Sequence, residues 1–162
     1  MSMRVGLGFD VHAFGGDGPL VLGGVTIPEG PGLVGHSDAD VVAHAVADAL
    51  LGAAGLPDLG TLFPASNDQY RGASSIGLLH DVVVRIGAAG WQVGNVDVVI
   101  AAEQPRLAPH VGEISALLAS TIGGAVSVKP KRTEGVGAIG RGEGIAAWAV
   151  ALLTGRESDA AT

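Results

Sequence analysis

The stretch "EGIAAWAVALLTG", Glu143 to Gly155, decides how the whole chain is read. Its alanines favour a helix, whereas an unbroken apolar run of this kind also suits a strand buried on both faces, and periodicity alone leaves both open. The neighbouring segments are clearer. "RVGLGFDVH", Arg4 to His12, alternates, with Val5, Leu7, Phe9 and Val11 on one face and Asp10 and His12 on the other, which predicts a half-buried strand. "PLVLGGVTIP" reads as two short strand pieces bent at Gly23-Gly24 and ended by Pro28, and "EGPGLVG" reads as a loop. Ser37 or Asp38 offers an N-cap for a helix over about 40–54, closed by Gly55 and Pro57. A long polar loop, "PDLGTLFPASNDQYRG", follows.

Ser74 or Ser75 caps a second predicted helix, in which Ile76, Leu79, Val83 and Ile86 keep helical spacing. "WQVGNVDVVIAAEQP" predicts a strand stopped at Pro105, "PHVGEISALLASTIGG" a third helix and "AVSVKPKR" another strand. With no repeat, linker or low-complexity block, the 162 residues form one α/β or α+β domain, with a core over about residues 4–153 and a short tail at 154–162.

Composition narrows the function. Only 15% of residues are charged against 48% hydrophobic, so disorder is excluded. Aromatics make up 4%, which leaves an aliphatic core, and 27 glycines imply many tight turns. A mean hydropathy of +0.44 predicts that some apolar surface is buried between subunits. The net charge of −7 argues against a partner bound through its phosphate backbone, so no nucleic acid is expected. There are no cysteines, hence no disulfides, thiolate zinc sites or cysteine nucleophiles. "MSMRVGLGFD" lacks the apolar run of a signal peptide and no apolar stretch reaches transmembrane length, so no membrane association is expected and a cytoplasmic location is.

The scarce polar groups gather in two windows. Three of the five histidines lie in "GFDVHAFGG" and "HSDADVVAHAVADAL". Asp10 and His12, two apart on a strand, project side by side. His44 follows Asp40 by one helical turn and precedes Asp48 by another, so the three share a helix face. A strand giving Asp and His and a helix giving a second His make three N/O ligands, the number a catalytic zinc takes with its fourth position open. Asp40 or Asp48 is placed to accept the second ring N–H of His44. The plain alternative is a solvated loop and a capped helix start. His80 and His110, isolated elsewhere, receive no role.

The motifs "FDVHAFGG", "HSDADVVAHAVADALLGAAGLPDLG", "FP", "GNVDVVIAAEQPRLAPH" and "GRGEGIAAWAVALL", in this order over nearly the whole chain, resemble the 2-C-methyl-D-erythritol 2,4-cyclodiphosphate synthase family of the non-mevalonate isoprenoid pathway. The resemblance implies an α+β fold, a single-domain αβ sandwich with a mixed sheet, whose sheets pack around the threefold axis of a homotrimer with active sites between subunits. It makes "EGIAAWAVALL" a strand. It implies conversion of 4-diphosphocytidyl-2-C-methyl-D-erythritol 2-phosphate to 2-C-methyl-D-erythritol 2,4-cyclodiphosphate and CMP, by attack of the 2-phosphate on the β-phosphate. The obstacle is repulsion between two anions. Zinc or another divalent ion at Asp10, His12 and His44, with Mg²⁺ or Mn²⁺ at Glu134, would neutralise it.

By the same resemblance His36 stabilises the transition state at the phosphates, with Ser37 beside it. Asp58, Leu59 and Gly60, and the loop Phe63, Pro64, Ala65, Ser66 and Asn67, contact the methylerythritol and its phosphate. Ala102, Glu103, Gln104, Pro105, Arg106 and Leu107 form the cytosine pocket, whose main chain reads the base edge. Arg141, beside Glu143, holds an anion in the central cavity of the trimer. Two departures stand out. The family reads K-A-T-T-x-E-G-L-G-F where this chain has "KPKRTEGVGA", Lys129 to Ala138. Arg132 thus occupies the position of the catalytic threonine, Thr133 comes one residue late, Lys131 helps draw in the anionic substrate, and Ala138 replaces an aromatic near the axis. The rival functions are a zinc-dependent phosphoesterase and a catalytically weakened trimeric nucleotide-binding homologue.

Overall fold

Residues 2–70 and 72–155 are described by the computed structural model; residues 156–162, most of the tail anticipated at 154–162, lie outside them. Among the described residues five strands, β1 (Met3–Leu22), β2 (Val25–Leu33), β3 (Trp91–Ala101), β4 (Ala125–Lys131) and β5 (Gly144–Gly155), form one mixed sheet in the order β2-β1-β5-β3-β4. The ambiguous C-terminal stretch is β5 (Gly144–Gly155), and it sits in the middle, antiparallel to both β1 (Met3–Leu22) and β3 (Trp91–Ala101). β4 (Ala125–Lys131) runs parallel to β3. The fold is α+β in a single unit, as the resemblance implied.

Close approach explains the alanine content of β5. Helix α1 (Val41–Ala54) lies directly on β1 and β5 with almost no side chain between. A Cβ on Gly8 would stand 1.9 Å from the Ala45 carbonyl oxygen, and one on Gly6 2.0 Å from that of Ala49. Ala147, Ala149 and Ala151 of β5 are fully buried on this side. Alanine is there because only a methyl fits beneath the helix, and this packing overrides its helix propensity. The helices α3 (Ser75–Ala88) and α4 (Val111–Ile122) complete the layer on the same face, and Leu50, Leu79, Ile86, Val98, Ile100, Ile114 and Leu118 fill the core between.

β1 is longer than the sequence suggests. It pairs with β5 from Met3 to Ala13 and then, through irregular register at Phe14, Gly16 and Pro19, with β2 (Val25–Leu33). Gly23 and Gly24 form the two-residue hairpin turn, with φ of +57° and +81°. The segment "EGPGL" is not a loop, and Pro28 does not end the strand: β2 is an edge strand, so a missing N–H there costs no ladder bond. The polar loop after Pro57 likewise contains a short helix, α2 (Leu59–Leu62), capped by the Asp58 carboxylate accepting from Thr61 N at 2.7 Å. Another short helix, α5 (Gly137–Gly140), precedes β5.

The apolar face of β1 points away from the helices. Val5, Leu7, Phe9 and Val11 remain about half or more exposed, joined by Trp148 and Val150 of β5, with the rings of Phe9 and Trp148 5.0 Å apart. The small and polar residues of β1 face inward, because only Gly6 and Gly8 admit the helix. Among the described residues, no helix is long and apolar enough to cross a membrane.

Candidate metal centre and active-site cleft

Helix α1 is buried on every side except one stripe, His44, Asp48 and Gly52, spaced four apart. This stripe points toward the stretch of β1 where Asp10 and His12 emerge from the same face of the strand. Asp10 Oδ2 lies 3.0 Å from His12 Nε2 and 2.9 Å from His44 Nδ1, and the two imidazole nitrogens are 3.4 Å apart. A tetrahedral zinc with bonds of about 2.0–2.1 Å would separate its ligand atoms by roughly 3.3 Å. The three atoms therefore already stand close to the corners of such a site, and one carboxylate with two imidazoles is a donor set that zinc accepts. Among the described residues this is the one cluster of its kind.

The electrostatics fit. Burial opposes ionisation of Asp10, but hydrogen bonds and charge from His12 and His44 outweigh it and hold its carboxyl well below the usual range. The hydrogen bond to Asp10 raises the pKa of His12 against the effect of burial. His12 Nδ1 donates to the Val34 carbonyl at 2.7 Å, which leaves Nε2 for a metal.

The second ring nitrogen of His44 does not meet Asp40 or Asp48. Asp40, fully buried, is the N-cap of α1 in place of Ser37 or Asp38; Oδ1 accepts from Gly23, Val42 and Ala43 N–H and Oδ2 from Gly24 N–H. Burial pushes its carboxyl up against these donors. Asp48 accepts from Leu59 N at 2.8 Å, and burial raises it too. His44 Nε2 instead faces Ser75 Oγ at 2.8 Å and Ser37 Oγ at 3.2 Å. Ser75 is a residue the sequence marks only as a helix cap. The capping is done by Ser74, whose Oγ accepts from Gly77 N.

A cleft of about 240 Å³ opens over the triad, lined also by His36, Ser37, Leu59, Gly60, Phe63, Ala65 and Tyr70. Asp58 caps α2 beneath it, and Pro64, Ser66 and Asn67 lie on the same loop outside its lining. A second pocket, about 410 Å³, is lined by Ala102, Glu103, Gln104, Pro105, Arg106 and Leu107 together with Lys131 and Arg132. The Gln104–Pro105 peptide there is cis. Glu103 binds the loop that follows β4: it accepts from Arg132 Nε at 3.2 Å and from Thr133 N at 3.2 Å, and its pKa is lowered by the Arg132 guanidinium. Thr133 Oγ1 is buried with no hydrogen-bond partner among the described residues, and Glu134 beside it sits at φ +53°. Arg141 donates to Glu143 at 2.7 Å and belongs to neither pocket.

Comparison with known proteins agrees with this architecture. The curated 2-C-methyl-D-erythritol 2,4-cyclodiphosphate synthase of Pectobacterium atrosepticum is 54% identical, with 96% of each chain aligned. Among solved structures, the bifunctional IspDF of Campylobacter jejuni superposes with a TM-score of 0.91 at 38% identity, over 95% of this chain and 42% of that longer one. A CDP complex of IspF from Plasmodium falciparum gives 0.82 at 30% identity, over 96% and 97%. The family model described as the YgbB family matches residues 3–154, and the chain belongs to that family.

Proposed function

We infer that the chain is the enzyme that closes 2-C-methyl-D-erythritol 2,4-cyclodiphosphate in isoprenoid precursor synthesis. The 2-phosphate oxygen of 4-diphosphocytidyl-2-C-methyl-D-erythritol 2-phosphate forms a bond to the β-phosphorus. The bond from that phosphorus to the bridging oxygen breaks, and CMP leaves with the oxygen and its electron pair. No water enters. The observation that carries this reading is the Asp10–His12–His44 triad at the floor of a cleft lined by His36, in a chain 54% identical to a cyclodiphosphate synthase.

Asp10, His12 and His44 would hold zinc or another divalent ion, and Glu134 Mg²⁺ or Mn²⁺, which would supply the positive charge that lets two anions meet. The chain's own residues orient and enclose them. His36 and Ser37, which line the cleft, donate to the phosphates, and Leu59, Gly60, Phe63 and Ala65 enclose the methylerythritol, with Pro64, Ser66 and Asn67 on the same loop. The pocket from Ala102 to Leu107 takes the cytosine; CDP in the Plasmodium falciparum structure supports a cytidine nucleotide as ligand. Lys131 lines this pocket and draws in the anion, and either Arg132 or Thr133 turns to the β-phosphate. The buried, unpartnered hydroxyl of Thr133 supports a role for that loop.

The open apolar face of β1 and β5 supports a homotrimer, with Arg141 holding an anion at its axis. A cytoplasmic location goes with this substrate. Purified protein given the cytidylyl substrate and Mg²⁺ should release CMP and the cyclic diphosphate in equal amounts by mass spectrometry. Release of inorganic phosphate without cyclic product identifies a phosphoesterase instead, and CDP binding without any product identifies a weakened homologue. Light scattering at assay concentration should give a trimer; an active monomer defeats the shared site.

A further inference from the structure

We propose that Ser75, backed by Asp38, is a positioning residue for the metal ligand His44, fixing which of its ring nitrogens presents a lone pair to the ion. The inference rests on the metal-centre reading above. Asp38 brackets the start of α3 with both oxygens: Oδ2 accepts from Ser75 N at 2.9 Å, and Oδ1 accepts from the Ser75 hydroxyl. A carboxylate only accepts, so the single hydroxyl proton of Ser75 is committed to Asp38. Ser75 Oγ can then meet His44 Nε2, 2.8 Å away, only as an acceptor. Nε2 therefore donates to it, with Ser37 Oγ at 3.2 Å as a second acceptor, and in the metal-bound state the lone pair is left on Nδ1, the atom 2.9 Å from Asp10 Oδ2 and 3.4 Å from His12 Nε2.

Two further observations separate this from a helix start that happens to lie nearby. Ser75 is 1% exposed, and with Asp40 it is one of two buried polar residues among those described. The α3 cap is Ser74, so the Ser75 hydroxyl is not needed for capping. His12 is fixed in the mirror sense, with Nδ1 bound to the Val34 carbonyl and Nε2 turned into the site, 3.0 Å from Asp10 Oδ2. The site thus holds each imidazole by the nitrogen that faces away from the ion: one through a backbone carbonyl, the other through a serine–aspartate relay. Outer partners of this sort are worth about ten- to a hundredfold in metal affinity.

The test uses the zinc-loaded wild type, Ser75→Ala and Asp38→Asn. Zinc affinity is read by competition with a chelator, and the His44 Nε2–H proton by ¹⁵N-edited NMR. The expected result is a zinc dissociation constant raised about ten- to a hundredfold in Ser75→Ala and by less in Asp38→Asn, where the hydroxyl retains an acceptor. The Nε2–H signal, protected in the wild type, should exchange rapidly with water in Ser75→Ala. Wild-type affinity and an unchanged signal in both variants overturn the proposal. So does a loss of affinity that merely follows a lower melting temperature of the metal-free variants while the Nε2–H signal persists. Failure of the wild type to bind one zinc per chain overturns the metal-centre reading, and this inference with it.

Discussion

Removing the carboxylate of Asp40 should destabilise the protein more than any other single polar change, because this one side chain joins the hairpin to the helix that carries His44. Oδ1 accepts from Gly23 N at 2.8 Å, Val42 N at 3.1 Å and Ala43 N at 3.0 Å, and Oδ2 from Gly24 N at 2.6 Å. The residue is fully buried, so water cannot replace a lost acceptor. For Asp40→Ala, loss of the helix cap costs about 1 kcal/mol. The two hairpin N–H groups, left without a partner, each add about 1.5 kcal/mol, bringing the total to about 4 kcal/mol. Asp40→Asn keeps an oxygen for the three donors at Oδ1 and turns an NH₂ toward Gly24 N–H, so its cost should be about 2 kcal/mol. The assay is urea unfolding at pH 7.5 and one fixed protein concentration, since assembly adds to apparent stability. Equal destabilisation by the two variants, or less than about 1 kcal/mol for alanine, refutes this reasoning.

Other outcomes follow from the packing and the site. Gly8→Ala places a methyl 1.9 Å from the Ala45 carbonyl oxygen, between backbones that cannot part without lifting α1; the melting temperature of the purified variant should fall sharply, and an unchanged value contradicts the close approach. His44→Ala should lose zinc by elemental analysis, and with it turnover, while the circular dichroism spectrum is retained; full zinc content in the variant removes His44 from the site. Arg132→Ala and Thr133→Ala, assayed at saturating substrate, should separate the two candidates of the "KRT" loop. Loss of a contact made mainly in the transition state lowers turnover by about ten- to a thousandfold in the variant that matters, and wild-type turnover in both removes the loop from catalysis.

The sequence by itself determined which face of its own strand or helix each candidate metal ligand occupies. Asp10 and His12 share a strand face and His44 repeats on a helix face whatever lies between them, because strand and helix periods are local properties. The same holds for the alternation of β1 and for the helices over 41–54, 75–88 and 111–122. What tertiary structure decided were matters of neighbourhood. "EGIAAWAVALLTG" is a strand because β1 and β3 pair with it on either side and its inward Ala147, Ala149 and Ala151 lie beneath α1, and nothing within those thirteen residues records the presence of those neighbours. "EGPGL" is a strand because β2 lies at an edge, where Pro31 loses no ladder bond. The apolar side of β1 faces out because Gly6 and Gly8 lie on the other side, so amphipathic alternation marks two faces but not which is inward. The partner of His44 was hidden for the same reason: Asp40 and Asp48 are its neighbours along the helix, but Ser75, held in turn by Asp38, reaches it only when the start of α3 folds against α1, a contact 31 residues distant in the chain.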